Sequence, residues 1–187
     1  MKNDKLIEKK NKYYNPVYNI IISIDPGENT AVSVFIHGNY FKSYYKSVKD
    51  VDITKEWKNR LIIDFIKIVI KHVMKDNTKF LFLSHILVIV EGVRVYNSTK
   101  SITAAISGKL EWLYYLVGGI VYFCDSEETA CLKILDYEWK GNLQKFVVKN
   151  RVNYRLTDEE KINLNKIKTN EHIYDSIGIG LWYLNRF

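Results

Sequence analysis

Two short apolar runs, each closed by a carboxylate and a glycine, constrain this chain more than any other feature. Asn19-Ile20-Ile21-Ile22-Ser23-Ile24 leads into Asp25-Pro26-Gly27, and Ile86-Leu87-Val88-Ile89-Val90 leads into Glu91-Gly92. Runs this short and this rich in β-branched residues read as buried strands rather than helices. Each strand therefore delivers an acidic side chain at its carboxyl end. If the two strands are neighbours in one sheet, Asp25 and Glu91 emerge side by side at one edge. A third carboxylate, Asp175, lies in Glu171-His172-Ile173-Tyr174-Asp175-Ser176-Ile177-Gly178-Ile179-Gly180, where a three-residue step puts His172 and Asp175 on one helical face.

The rest of the chain supplies the sheet around these strands. The first strand spans about 19–25, a second 30–37 and a third 40–48. His37-Gly38-Asn39 makes the tight connection between the last two, so the three form an antiparallel meander. Residues 56–75 predict a helix whose apolar stripe is Trp57, Leu61, Phe65, Ile68 and His72, with Lys58, Asn59, Lys67 and Lys71 off it. A fourth strand covers 85–91. Ser98 or Thr99 caps a helix running to about Val117, Gly118-Gly119 stops it, and a fifth strand runs from Ile120 to Cys124. Thr157 and Glu160 form a capping box for a short helix through about Lys168, and Asn170 caps the last helix to about Leu184. The expected architecture is an α/β fold, a mixed five-stranded sheet flanked by helices.

At 187 residues the chain suits one domain with a full core. The expected division is a basic arm at 1–17, carrying Lys2, Lys5, Lys9, Lys10 and Lys12, followed by a domain at 18–187. Lys plus Arg outnumber Asp plus Glu by 28 to 21, a net charge of +7 that favours a polyanionic partner. Cys124 and Cys131 are too few for a disulfide framework and lack zinc spacing, so they read as reduced thiols of a cytoplasmic protein. The most apolar stretch, Phe80 to Val90, is about half the length that spans a bilayer. The lysine-rich start contains Asp4 and Glu8 and lacks an apolar core, so it fits neither a secretory signal nor a transit peptide.

Three converging carboxylates suit one chemistry above others. Hydrolysis of a phosphodiester by two Mg²⁺ ions needs carboxylates around metals about 3.5–4 Å apart, which activate water and stabilise the leaving 3′-oxygen. Hard cations prefer oxygen donors, so Asp and Glu serve here better than Cys. The Gly27 that follows Asp25 and Pro26 has no Cβ to keep a phosphate or metal from the backbone.

The chain at this point resembles the RuvC-like Holliday junction resolvases, especially their viral and phage-type branch within the ribonuclease H-like superfamily. The matching pieces are Ile24-Asp25-Pro26-Gly27, Val90-Glu91-Gly92, and His172 through Trp182. Trp139-Lys140-Gly141-Asn142-Leu143-Gln144-Lys145 is similar to the Trp-Lys-Gly…Lys stretch of phage-type members. The resemblance covers about residues 19–186. It implies a ribonuclease H-like fold and a Mg²⁺-dependent crossover junction endodeoxyribonuclease with two ions per site, which Mn²⁺ can replace. It also implies Asp25, Glu91 and Asp175 as catalytic metal ligands. His172 stands where many members carry a second aspartate; it could ligate a metal or assist proton transfer, and neighbouring Glu171 is the other candidate for that fourth place.

Phosphates need basic and polar partners. Arg94, Tyr96, Asn97, Ser98, Thr99 and Lys100 follow Glu91 directly and would lie beside the metals. Lys140, Lys145, Lys149, Arg151 and Arg155 form a second basic series, with Trp139, Phe146 and Tyr154 interleaved as base-stacking or core residues. The expected DNA contacts are Arg94, Asn97, Ser98, Lys100, Lys140, Lys145, Lys149 and Arg151, and the expected substrate is branched, four-way junction DNA. The helix expected at 99–117 carries Ala104, Ala105, Ser107 and Gly108 in its first half. The resemblance implies that it joins two subunits into a homodimer placing two sites on one junction. Competing readings are a ribonuclease H, a flap-type nuclease, a catalytically inactive DNA-binding module, and a sugar-kinase or actin-like ATPase. The last shares the fold core but needs a second glycine loop and a duplicated domain, and this chain has only nine glycines.

Overall fold

The computed structural model of the chain describes residues 12–76, 86–93, 103 and 107–187. Strands β1 (Ile20–Asp25), β2 (Asn29–Ile36) and β3 (Asn39–Ser47) come first, then helix α1 (Lys55–Asp76), β4 (Ile86–Gly92), α2 (Lys109–Ser126) and β5 (Ala130–Leu135). Helices α3 (Asp136–Trp139), α4 (Lys145–Arg155), α5 (Asp158–Asn165) and α6 (Glu171–Tyr183) complete the chain. The sheet order is β3-β2-β1-β4-β5. β1, β2 and β3 pair antiparallel, whereas β4 runs parallel to both β1 and β5. This is the mixed five-stranded sheet that the sequence predicts. Its hairpin is tight: Ile36 pairs with Asn39, and His37 and Gly38 between them take φ values of 49° and 78°, the left-handed pair that a two-residue turn demands.

Strand parity decides where the carboxylates go. Ile20, Ile22 and Ile24 of β1 join Ile86, Val88 and Val90 of β4 in a core closed by α1 and α2. Ile21, Leu87 and Ile89 point the other way, into a core closed by α4 and α6. Asp25 shares the parity of Ile21, and Glu91 that of Leu87 and Ile89. The period of two therefore aims both carboxylates to the α6 side.

Three sequence-based expectations are corrected. Helix α1 lies where expected, but its buried face is Ile62, Ile66, Val69, Ile70 and Val73, while Trp57, Leu61 and Ile68 are exposed, Ile68 by 67%. Both faces are apolar enough to serve as a stripe; the sheet takes the branched one, which holds the i, i+4, i+7, i+8, i+11 spacing. Second, Gly118-Gly119 does not stop α2, which continues to Ser126. A Cβ at Gly119 would meet Ile63 Cδ1 at 2.6 Å, so this glycine lets α1 and α2 approach closely. Third, Ile120 to Cys124 is therefore helix, and the fifth strand is Ala130–Leu135. The β-branched and aromatic composition of Ile120–Cys124 suits a strand, but Leu116, Val117, Ile120, Phe123 and Cys124 are buried at helical spacing.

The C-terminal helices begin as their caps dictate. Thr157 Oγ1 accepts from Glu160 N at 3.3 Å while Glu160 Oε2 accepts from Thr157 N at 2.8 Å, and Asn170 Oδ1 accepts from Ile173 N at 3.0 Å. A buried hydroxyl ladder docks α6 on the sheet. Ser23 Oγ donates to the Ser176 carbonyl at 2.7 Å, and Ser33 Oγ lies 2.6 Å from both Ser43 Oγ and Ser176 Oγ. Gly180 brings the helix in so closely that an added Cβ would overlap the Phe35 ring. Gly180→Ala is accordingly expected to destabilise the fold by about 1–3 kcal/mol through overpacking, read as a lowered melting temperature. Phe35→Leu in the same chain should recover part of the loss.

Of the expected arm, residues 1–11 lie outside the described residues. Tyr13 Oη donates to Glu138 Oε1 at 2.9 Å, Asn15 N donates to Tyr183 Oη at 3.0 Å, and Tyr13 packs on Trp182. Among the described residues, no helix is long and apolar enough to cross a membrane.

Candidate active site

Parallel pairing of β1 with β4 sets Ile24 opposite Val90, so Asp25 and Glu91 follow on the next rung at the carboxyl ends of adjacent strands. The α6 helix crosses this edge with Asp175 one turn from its cap, 6% exposed. Its His172 Nδ1–H donates to Asp25 Oδ2 at 2.8 Å, while Nε2 stands 3.7 Å from Glu171 Oε1. Glu171 turns outward to Lys145 at 2.7 Å and is half exposed. Of the two candidates for the fourth place, His172 is thus the one on the carboxylates.

Lys140 enters the cluster from the segment after β5 and α3. Its Nζ lies 3.3 Å from Glu91 Oε1 and 3.9 Å from Asp175 Oδ2. The sequence reads it as a DNA contact; its ammonium here lies on Glu91 and Asp175. It helps to neutralise groups that otherwise repel each other. Burial and the neighbouring Asp25 charge push the Glu91 carboxyl up to about 8, against the pull of Lys140. The same two causes push Asp175 up to about 6. His172 is raised by its hydrogen bond to Asp25, with burial opposing. Burial alone would lower Lys140, but the charges of Glu91, Asp175 and Asp25 outweigh it and hold the ammonium above its ordinary value.

Such a cluster is short of positive charge and rich in hard oxygen donors, which is the chemistry a divalent cation answers. Among the described residues, no three His, Cys, Asp or Glu side chains stand together as a ready metal-holding group. The Lys140 ammonium is shared by Glu91 and Asp175, while Asp25 is held by His172. The donors present fit Mg²⁺ in kind and in charge.

The other expected contacts divide. Arg94, Asn97, Ser98 and Lys100, with Tyr96 and Thr99, lie outside the described residues. Lys145, Lys149 and Arg151 are exposed on α4, Lys149 over the Tyr174 ring and Arg151 over that of Phe187. Trp139 is core at 4% exposure, whereas Phe146 and Tyr154 are exposed. The place of Lys140 was hidden by the misplaced fifth strand: with β5 ending at Leu135, the segment that follows has to rise at the same sheet edge as Asp25 and Glu91.

No family model matches the sequence, and no curated protein matches it. Solved structures do. The Thermus thermophilus RuvC structure is 14% identical with a TM-score of 0.54, over 87% of this chain and 92% of that one. T. thermophilus RuvC in complex with a Holliday junction substrate is 15% identical with a TM-score of 0.47, over 88% and 92%. The fowlpox virus Holliday junction resolvase is 16% identical with a TM-score of 0.45, over 88% and 96%. At these identities the likeness is one of fold, carried by the first of the three and by the strand order itself. The chain thus has the RuvC-like form of the ribonuclease H-like fold, with its three carboxylates gathered where β1, β4 and α6 meet.

Proposed function

We propose that the protein is a metal-dependent, structure-selective endonuclease that cuts four-way DNA junctions, with Asp25, Glu91, Asp175 and His172 as its catalytic and metal-holding groups. The observation that carries this reading is the convergence of three largely buried carboxylates from two adjacent parallel strands and the helix above them. The fold-level likeness to RuvC and the net charge of +7 support it. Two Mg²⁺ ions, or Mn²⁺ in their place, would supply a water of lowered pKa and charge stabilisation for the leaving 3′-oxygen.

The residues of the chain do the rest. The Asp25 carboxylate fixes the His172 ring through Nδ1–H, which leaves Nε2 as the nitrogen to accept or return a proton at the outer face of the site. Lys140 balances the charges of Glu91 and Asp175 and, with metal bound, would be free to meet the scissile phosphate. Lys145, Lys149 and Arg151 hold the DNA backbone on the exposed side of α4, with Arg94, Asn97, Ser98 and Lys100 as further contacts. Residues 18–187 form the nuclease domain, and it acts in the cytoplasm.

Incubation with Mg²⁺ and labelled four-way junction, duplex, flap and RNA–DNA hybrid tests the reading. Symmetric paired nicks in the junction are expected, and none in chelator; cleavage of the hybrid or the flap alone would transfer the assignment to a ribonuclease H or flap nuclease. His172→Ala is expected to cut at least about a hundred-fold more slowly while binding junction normally. A normal rate in that variant with a dead Glu171→Gln moves the fourth role to Glu171. Paired nicks need two sites related by a two-fold axis, so light scattering should read twice the 22.1 kDa chain mass. A monomer making single nicks defeats the homodimer.

A further inference from the structure

Beside the carboxylates, a cavity of about 230 Å³ opens between the first turns of α4 and α6. Phe146 lines it and is 62% exposed. One exposed ring means little by itself, but this ring shares its cavity with Tyr174 and two lysines. Lys149 Nζ lies over the Tyr174 ring at 5.5 Å, and Lys145 holds Glu171 at 2.7 Å. Glu171 in turn is 3.7 Å from the imidazole of His172, which bonds Asp25, so the cavity wall connects to the carboxylate cluster through these two side chains.

We propose that this cavity takes one unpaired base of the DNA strand next to the phosphate being cut, stacked on Phe146, while Lys149 and Lys145 hold the phosphates on either side. The inference rests on the nuclease reading and adds to it which residue receives the opened nucleotide. Three features fix the occupant. The helix that carries Phe146 bears Lys145, Lys149, Arg151 and Arg155 and no acidic residue, which suits a polyanion. The volume is below the roughly 300–1,000 Å³ of pockets for drug-sized molecules, so it suits a single ring system rather than a whole nucleotide. Glu171 on the wall repels a phosphate but can accept from a base N–H, so the ring enters and the phosphates stay outside on the lysines. A flat aromatic face beside cations is the arrangement by which proteins hold unstacked bases irrespective of sequence.

The experiment uses the full chain and four-way junctions with 2-aminopurine at each position flanking the cut sites, in chelator so that nothing is cleaved. Wild type is expected to change the fluorescence at one flanking position. Phe146→Ala should lose that change and weaken junction binding by roughly ten-fold, within the range set by one base–aromatic stack. Phe146→Trp should restore both, which a merely structural role would not predict. Phe41→Ala, an exposed ring on β3, is the control and should leave both unchanged. Junction bound and cut by Phe146→Ala as by wild type, with the fluorescence change intact, overturns the base site and leaves the nuclease reading standing. A wild-type chain that neither binds nor cuts any of the DNAs overturns the nuclease reading and this inference with it.

Discussion

Asp25→Asn, Glu91→Gln and Asp175→Asn are each expected to slow Mg²⁺-dependent junction cleavage by about three orders of magnitude or more, with junction binding in chelator retained. The size follows from cooperation: groups that hold metal together fail together, so each single loss costs nearly as much as the loss of all. A second measurement separates a lost ligand from a damaged fold. Burial and the Asp25 charge raise the Glu91 carboxyl from 4.5 to about 8, so the folded state prefers this group protonated. Its contribution to stability is complete below about 4.5 and is lost as pH rises through about 8. Gln cannot ionise. Without metal, Glu91→Gln should therefore melt no lower than wild type at neutral pH, and its advantage should grow as pH rises toward 8. Normal cleavage in any of the three variants would remove that residue from the site.

The pairing of Asp25 with Glu91 was legible because two strands ended in carboxylates and parity leaves an alternating strand only two ways to face. Asp175 and its cap were legible for a similar local reason, since Asn170 three residues before Ile173 is a start signal that needs no tertiary information. What escaped was whatever depended on a neighbour in space. The apolar residues of α1 make two stripes, and only the packed sheet chooses Ile62, Ile66 and Val73 over Trp57, Leu61 and Ile68. Gly119 looks like a stop until the Ile63 side chain is seen against it. Lys140 read as one more cation of a basic series, because its companions Glu91 and Asp175 are 49 and 35 residues away along the chain.

Arg186→Ala is the substitution expected to cost most in stability, about 3 kcal/mol, at the lower end of the range for breaking a buried ion pair. Glu160 is 3% exposed and accepts four hydrogen bonds: from Tyr40 N at 2.6 Å, Thr157 N at 2.8 Å, Arg186 Nη1 at 2.8 Å and Arg186 Nη2 at 2.6 Å. It thereby ties β3, the start of α5 and the chain end into one knot, and Arg186 adds bonds to the carbonyls of Gly38 and Arg155. Burial alone would raise the Glu160 carboxyl; the hydrogen bonds from Arg186, Tyr40 N and Thr157 N overcome it and hold the group below its ordinary value. A depressed carboxylate contributes stability above its unfolded value and loses it as pH falls through the folded one. The gap between wild type and Arg186→Ala should therefore be widest near neutral pH and close on acidification below about 4.5. In a chain of this length the loss corresponds to a melting temperature lower by roughly 6–12 °C. Arg186→Lys keeps the charge but not the two-pronged fork and should fall between the two. Cleavage measured below the lowered melting temperature should persist, since the knot lies between β3 and α5 rather than on the carboxylates. Melting within about a degree of wild type would show that the two backbone N–H groups alone suffice to hold the buried Glu160 carboxylate.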